Sequence, residues 1–219
     1  MITTVREYTK SDKKVVLVGA QHIATTGYYD RIQAILDSYP PDCVLYEGVG
    51  KDDSDDEDDL LGLKEIYSIT AEWSGLQMQS EVIRRNKEWV NSDIKGGVIK
   101  NFSEQDFKKK MQEVLDAFRK LKEKMKKNPE SEEKTKKMFR LLFRVMVKFL
   151  PVLMLFIRGG YLILDVRNGK VLVDILELLT DKNVAVAFYG EAHLRGLEKS
   201  LEKLGFKGKV VQKLNPLEE

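Results

Sequence analysis

The stretch KVVLVGAQH, residues 14–22, decides how the rest of the chain is read. Lys14 to Val18 form a short β-branched run, Gly19 ends it, and Tyr28, Ile32, Ile35 and Leu36 then recur with helical spacing. That order predicts strand, loop, helix. Pro40-Pro41 stops the helix and Val44-Leu45-Tyr46 supplies the next strand, so the opening makes a βαβ unit, which implies parallel pairing. The same frame returns as VAVAFYGEAH, residues 184–193. Val184 to Phe188 predict an apolar strand, Gly190 ends it, and Leu194, Leu197, Leu201 and Leu204 mark a helix closed by Gly205. A last strand is expected around Lys209 to Gln212. The fold class is therefore α/β, with a mostly parallel central sheet flanked by helices.

Between these units the pattern changes. DDSDDEDD, Asp52 to Asp59, has no apolar residue to anchor it and reads as a solvated loop. It lacks the glycine and terminal glutamate of an EF-hand loop. Leu60 to Lys100 is mainly helical in character, broken at Ser92-Asp93 and Gly96-Gly97. Ser103 to Asp106 resembles a capping box, after which Phe107, Met111, Val114, Phe118, Leu121 and Met125 alternate by four and three. Asn128 to Ser131 makes a turn, and Met138, Phe139, Leu142, Phe143 and Met146 line a second helix. Residues 103–157 thus predict a helical hairpin inserted in a single domain spanning 1–219. Leu164, Val171, Leu172, Ile175 and Leu179 predict a further helix, interrupted by Gly169.

Composition excludes more than it names. Basic and acidic side chains number 37 and 35, a net charge of +2, so global charge selects no partner. Between Lys108 and Arg140 there are 13 basic residues against 6 acidic ones. There the lysines alternate with glutamates around a heptad seam, and no aromatic residue stands among the exposed positions to stack on bases, which argues for a solvated face and against nucleic acid. The single cysteine, Cys43, lies in an apolar run and reads as a small buried hydrophobe. Met1 to Lys14 lack the apolar core of a signal peptide, so a cytoplasmic location is expected. LLFRVMVKFLPVLMLFI, residues 141–157, is at the short limit for a membrane span. Each of Arg144 and Lys148 would cost about 2.5–3.5 kcal/mol near the bilayer centre. A buried helix is the reading, with membrane-surface contact or self-association as its other uses.

The chemistry-bearing residues are few. Both histidines of the chain occupy one local frame, Gly19-Ala20-Gln21-His22 and Gly190-Glu191-Ala192-His193, each after an apolar strand. In a parallel sheet such junctions open at the carboxyl edge, where ligands bind, so the two imidazoles can face one crevice. Glu47 leaves the second strand at the same edge. Two imidazoles and a carboxylate suit a divalent cation such as Mn²⁺, Co²⁺ or Zn²⁺, and a metal-bound water is a nucleophile near neutral pH. Any one of these histidines taken alone would more often cap a helix or fill a satisfied core position, and a carboxylate at a strand end often anchors a loop.

Taken together, Gly19 to His22, Tyr46-Glu47-Gly48, Arg167-Asn168 and Tyr189 to Leu194 resemble the TraB/TIKI superfamily, whose pattern is GxxH, a glutamate ending the second strand, an Arg-Asn pair and a second GxxH. The likeness covers most of the chain. The pattern's glutamate before the arginine is Val166 here, and Arg85-Asn86 is a rival Arg-Asn pair. The resemblance implies a metal-dependent hydrolase of peptide or ester bonds acting on a peptide or small-molecule substrate. His22, Glu47 and His193 would be metal ligands, with Glu47 and Arg167 catalytic. Distant kin include erythromycin esterases and a haem-binding protein, so a non-catalytic ligand- or haem-binding role is the alternative. TraB-type members carry membrane segments after the domain. This sequence ends at Glu219 without them, and a soluble relative or a shortened chain is expected. For Arg167 the competing expectation is a surface ion pair with Asp165 or Asp174.

Overall fold

The computed structural model describes residues 2–48, 63–93 and 158–218, together with helical positions scattered between 112 and 123 and between 133 and 138. Its strands are β1 (Thr3–Lys10), β2 (Lys13–Ala20), β3 (Ile23–Ala24), β4 (Val44–Tyr46), β5 (Gln77–Met78), β6 (Val90–Asn91), β7 (Val184–Gly190) and β8 (Lys207–Leu214). Helices are α1 (Thr26–Asp37), α2 (Leu63–Ser74), α3 (Gln79–Val82), α4 (Arg158–Asp181) and α5 (Glu191–Lys203). The main sheet runs β6-β4-β7-β2-β1-β8, and β3 pairs with β5 in a separate ribbon.

Four adjacent strands, β6, β4, β7 and β2, are parallel. The interior positions of β4, β7 and β2 are apolar on both faces, as expected for a sheet covered on both sides. Val16, Val18, Val44, Val186 and Phe188 pack with Tyr28, Tyr29, Ile32 and Leu36 of α1 on one face. On the other face Val15, Leu17, Leu45, Ala185 and Ala187 pack with Val171 and Ile175 of α4 and Leu194, Leu197 and Leu201 of α5. Three layers result, and the crossover helices leave the carboxyl ends of β2, β4 and β7 side by side.

The amino-terminal residues form a strand that their composition conceals. β1 runs antiparallel between β2 and β8, turning back at Ser11, whose φ of 54° is left-handed. Thr3 and Val5 face the α1 layer, while Thr4, Arg6 and Tyr8 face α5. There Arg6 bonds Glu198 at 2.5 Å and Glu191 at 3.3 Å, and Tyr8 bonds Glu198 at 2.5 Å. The layer under this strand is thus a polar network rather than an oily seam.

Two expectations need correction. Gly169 does not interrupt a helix: α4 runs through it, exposed there and with no neighbour within 4 Å of where a side chain would begin. Within residues 63–93, the described part of the stretch Leu60 to Lys100, the helices α2 and α3 are accompanied by two short strands, β5 and β6. The hairpin assigned to 103–157 lies largely, and the apolar run 141–157 wholly, outside the described residues. Within them, Arg119 bonds Glu65 at 2.6 Å and Lys122 bonds Glu72 at 2.9 Å, which ties the 112–123 segment to α2. Among the described residues no helix is long and apolar enough to cross a membrane.

Candidate active site at the carboxyl edge of the sheet

β4 ends at Tyr46, but the parallel ladder continues by one bond, Glu47 N–H to Phe188 O at 3.0 Å. This fixes the backbone of Glu47 beside the end of β7. Its carboxylate then accepts the Gly190 N–H at 2.6 Å through Oε2. Gly190 needs to be small. A Cβ there would lie 3.2 Å from Glu47 Oε2, 3.8 Å from His22 Nε2 and 3.9 Å from His193 Cδ2. One point above this glycine is therefore within reach of all three residues that the sequence singled out, and the register Ala20↔Gly190 between β2 and β7 is what brings them there.

His193 is the third residue of α5 and is buried. Its Nδ1 lies 2.7 Å from Asn168 Oδ1, so the ring donates from Nδ1 and keeps the Nε2 lone pair, 3.5 Å from Glu47 Oε1. Asn168 reaches the ring from α4 by lying against α5 at Gly196, where an added Cβ would come within 2.2 Å of its amide nitrogen. His22 sits differently, at a bend between β2 and β3, and is exposed. Its ring stacks on Tyr67 of α2 with centroids 5.0 Å apart and planes at 24°. The residue before it is fixed on both sides: Gln21 N–H donates to Tyr28 Oη at 3.2 Å, and Tyr29 Oη donates to Gln21 O at 2.9 Å.

Arg167 joins the cluster from α4. Its Nη2 bonds Glu47 Oε1 at 2.5 Å and Asp93 Oδ2 at 2.6 Å, and its Nε bonds Asp93 Oδ1 at 2.8 Å. The expected surface pair does not form: Asp174 is taken by Ser92 and Lys170, both at 2.5 Å. The rival, Arg85, is exposed over the Tyr46 ring. Asp93, which reads in the sequence only as part of a helix break, has a fully buried side chain gripping the guanidinium in two places. Neighbouring Ser92 is itself anchored, its carbonyl accepting from Tyr189 Oη at 2.6 Å. No local signal marks Asp93. Its role arises from β6 pairing beside β4, a two-residue strand without hydrophobic periodicity.

The charges are set by these contacts. Burial works to raise the Glu47 carboxyl, but the Arg167 guanidinium, then His193 and His22, outweigh it and hold it well below its usual range. Desolvation by the surrounding protein depresses the His22 imidazole, with Arg167 and His193 adding to that and Glu47 opposing, so the ring is biased toward the neutral form. For Arg167, burial alone would lower the pKa, and its two carboxylates more than reverse this. Burial chiefly, with Glu47 adding, pushes the Tyr67 phenol up to about 12, so it stays a protonated donor.

Imidazole nitrogens and a carboxylate are the right kinds of donor for a divalent cation. In the arrangement present, both Glu47 oxygens are engaged, one by Arg167 and one by Gly190 N–H. Among the described residues no three His, Cys, Asp or Glu side chains stand around a common ion position. The donor types suit a cation, but the side chains as placed do not close around one, because both Glu47 oxygens already have partners.

Comparison of the chain with protein-family models, with curated proteins and with solved structures gives no match. The class is therefore defined by the molecule itself, an α/β domain that gathers two imidazoles, two carboxylates and a guanidinium at one sheet edge.

Proposed function

We propose that the chain is a hydrolase of peptide or ester bonds whose chemistry takes place above Gly190. The observation that carries this reading is the approach of His22 Nε2, the Glu47 carboxylate and the His193 ring to one point within 4 Å. A carboxylate held ionised beside imidazole nitrogens can accept a proton from an attacking water. In this reading Glu47 takes that proton, and His193, fixed by Asn168 with its lone pair toward Glu47, receives it and returns it to the leaving group. Arg167 bonds its two carboxylates through Nε and Nη2, and Nη1 makes no hydrogen bond among the described residues. That nitrogen is the donor available for an oxyanion. His22, exposed on its stack with Tyr67, forms the solvent side of the site.

His22, Glu47 and His193 would hold a Mn²⁺, Co²⁺ or Zn²⁺ ion, which when bound polarises a carbonyl and acidifies water. The test is hydrolysis of a panel of peptide and ester substrates by purified protein, with and without each cation, beside metal analysis. Turnover that disappears in both His22→Ala and Glu47→Gln is the expected result. Turnover that survives both substitutions would place the chemistry elsewhere.

A further inference from the structure

Among the described residues one buried side-chain oxygen has no hydrogen-bond partner, Gln79 Oε1. A lone buried amide acceptor costs about 1–3 kcal/mol, so a nearby donor is to be sought. The backbone identifies it. β3 and β5 are antiparallel with Ile23 opposite Met78 and Ala24 opposite Gln77. One step further along this register places His22 opposite Gln79, and Gln79 N–H donates to His22 O at 2.9 Å. The ladder ends at this bond, because the chain bends at His22 and Gln79 opens α3. Burial chiefly lowers the His22 imidazole and a side-chain hydrogen bond with Gln79 works to raise it, so the Gln79 carboxamide stands beside the ring. Its Nε2 is the nitrogen turned to the crevice, 3.8 Å from the point above Gly190, which leaves Nδ1 as the other one.

We propose that Gln79 is the positioning residue of His22, its carboxamide oxygen accepting the Nδ1 proton so that the Nε2 lone pair is aimed at the crevice, as Asn168 does for His193. The two histidines, on unrelated local structures, are then held in the same tautomer by the same functional group from opposite walls of the site. This is the arrangement either proton transfer or cation binding at Nε2 requires, because the second nitrogen of a working imidazole is normally tied to a fixed acceptor. The proposal deepens the hydrolase reading and rests on it for its purpose, but the hydrogen bond itself can be measured without any substrate.

The experiment is imidazole ¹⁵N–¹H correlation spectroscopy of the full-length ¹⁵N-labelled chain above the histidine titration range. A chelator is present so that no bound cation dictates the tautomer. Both rings are expected as the Nδ1–H form, the one free histidine favours least. Gln79→Met should convert His22 alone to the Nε2–H form or a mixture and lower hydrolytic turnover about tenfold to a hundredfold. Gln79→Glu, which keeps an acceptor, should retain the Nδ1–H form. A wild-type His22 carrying its proton on Nε2 overturns the proposal without recourse to any variant, as does a Gln79→Met spectrum with His22 unchanged. Lack of turnover in the wild type, with both tautomers as expected, would count against the hydrolase reading and leave the Gln79 bond standing.

Discussion

The two Gly-x-x-His junctions share one spelling and fold into different structures. At the second, Gly190 leads straight into α5 and His193 is buried in its first turn. At the first, the chain leaves β2, bends at His22, pairs as β3, and begins α1 only after Thr25, whose hydroxyl accepts the Tyr28 N–H. The convergence of the two rings therefore owes nothing to a shared local motif. It comes from β2 and β7 being neighbours in parallel register, which levels the two strand ends, while each ring is then fixed by its own surroundings. A buried histidine on a helix and an exposed one on a ribbon should respond differently to the same kinds of damage.

The largest effect is expected where both junctions lean on a common support. Asp93→Asn leaves Arg167 buried with one carboxylate in place of two, and should cost about 3–5 kcal/mol, read by denaturant unfolding, together with most of the turnover. Loss of less than about 1 kcal/mol would show that Glu47 alone can hold the guanidinium. Next, His193→Ala and His22→Ala should each lower turnover by at least about a hundredfold. Only His193→Ala should also destabilise the fold, by about 1–3 kcal/mol, because it strands the Asn168 oxygen in the interior. Equal stability losses would erase the distinction between the two junctions.

Gly196→Ala probes the second junction through Asn168. Alanine is worth about 1 kcal/mol over glycine inside a helix, so propensity alone predicts stabilisation. The 2.2 Å approach of the Asn168 amide predicts the reverse, a loss of about 1–3 kcal/mol and a displaced His193 ring. The smallest change belongs to the first junction: Thr25→Ala removes the α1 cap, costs about 1 kcal/mol, and leaves turnover intact. Acid sharpens the picture further. Glu47 titrates below its ordinary 4.5 in the folded chain, so its stabilisation is complete above that value and is lost as pH falls through the folded one. Thermal midpoints tracked from pH 6 down to 3 should drop more steeply in the wild type than in Glu47→Gln.

Much of this is readable without coordinates. β2, β4, β7 and their helices announce themselves because parallel strands buried on both faces are continuously apolar, and the edge they share is a matter of topology. His22, Glu47 and His193 are legible for the same reason, since each stands just past the end of such a strand. β1 is not, because the face it turns to α5 carries Thr4, Arg6 and Tyr8, whose partners Glu191 and Glu198 lie far along the chain. Asp93 and Gln79 are hidden by another cause. Each acts from the border of a two-residue strand, too short to leave a period, and each matters only through a neighbour that tertiary pairing supplies.

The placement of β1 also bears on how the molecule is made. Its two neighbours are β2, synthesised immediately afterwards, and β8, whose Leu214 pairs with Thr3 across 211 positions. At about 5–20 residues per second, the outer edge of the β1–β2 hairpin waits on the order of ten to forty seconds for that partner. Glu191, which draws Thr4 toward the start of α5, arrives nearly as late. A ribosome-bound chain thus holds an open, unpatched ribbon until β8 has been synthesised, and a chaperone that shields strand edges would find a long-lived target there.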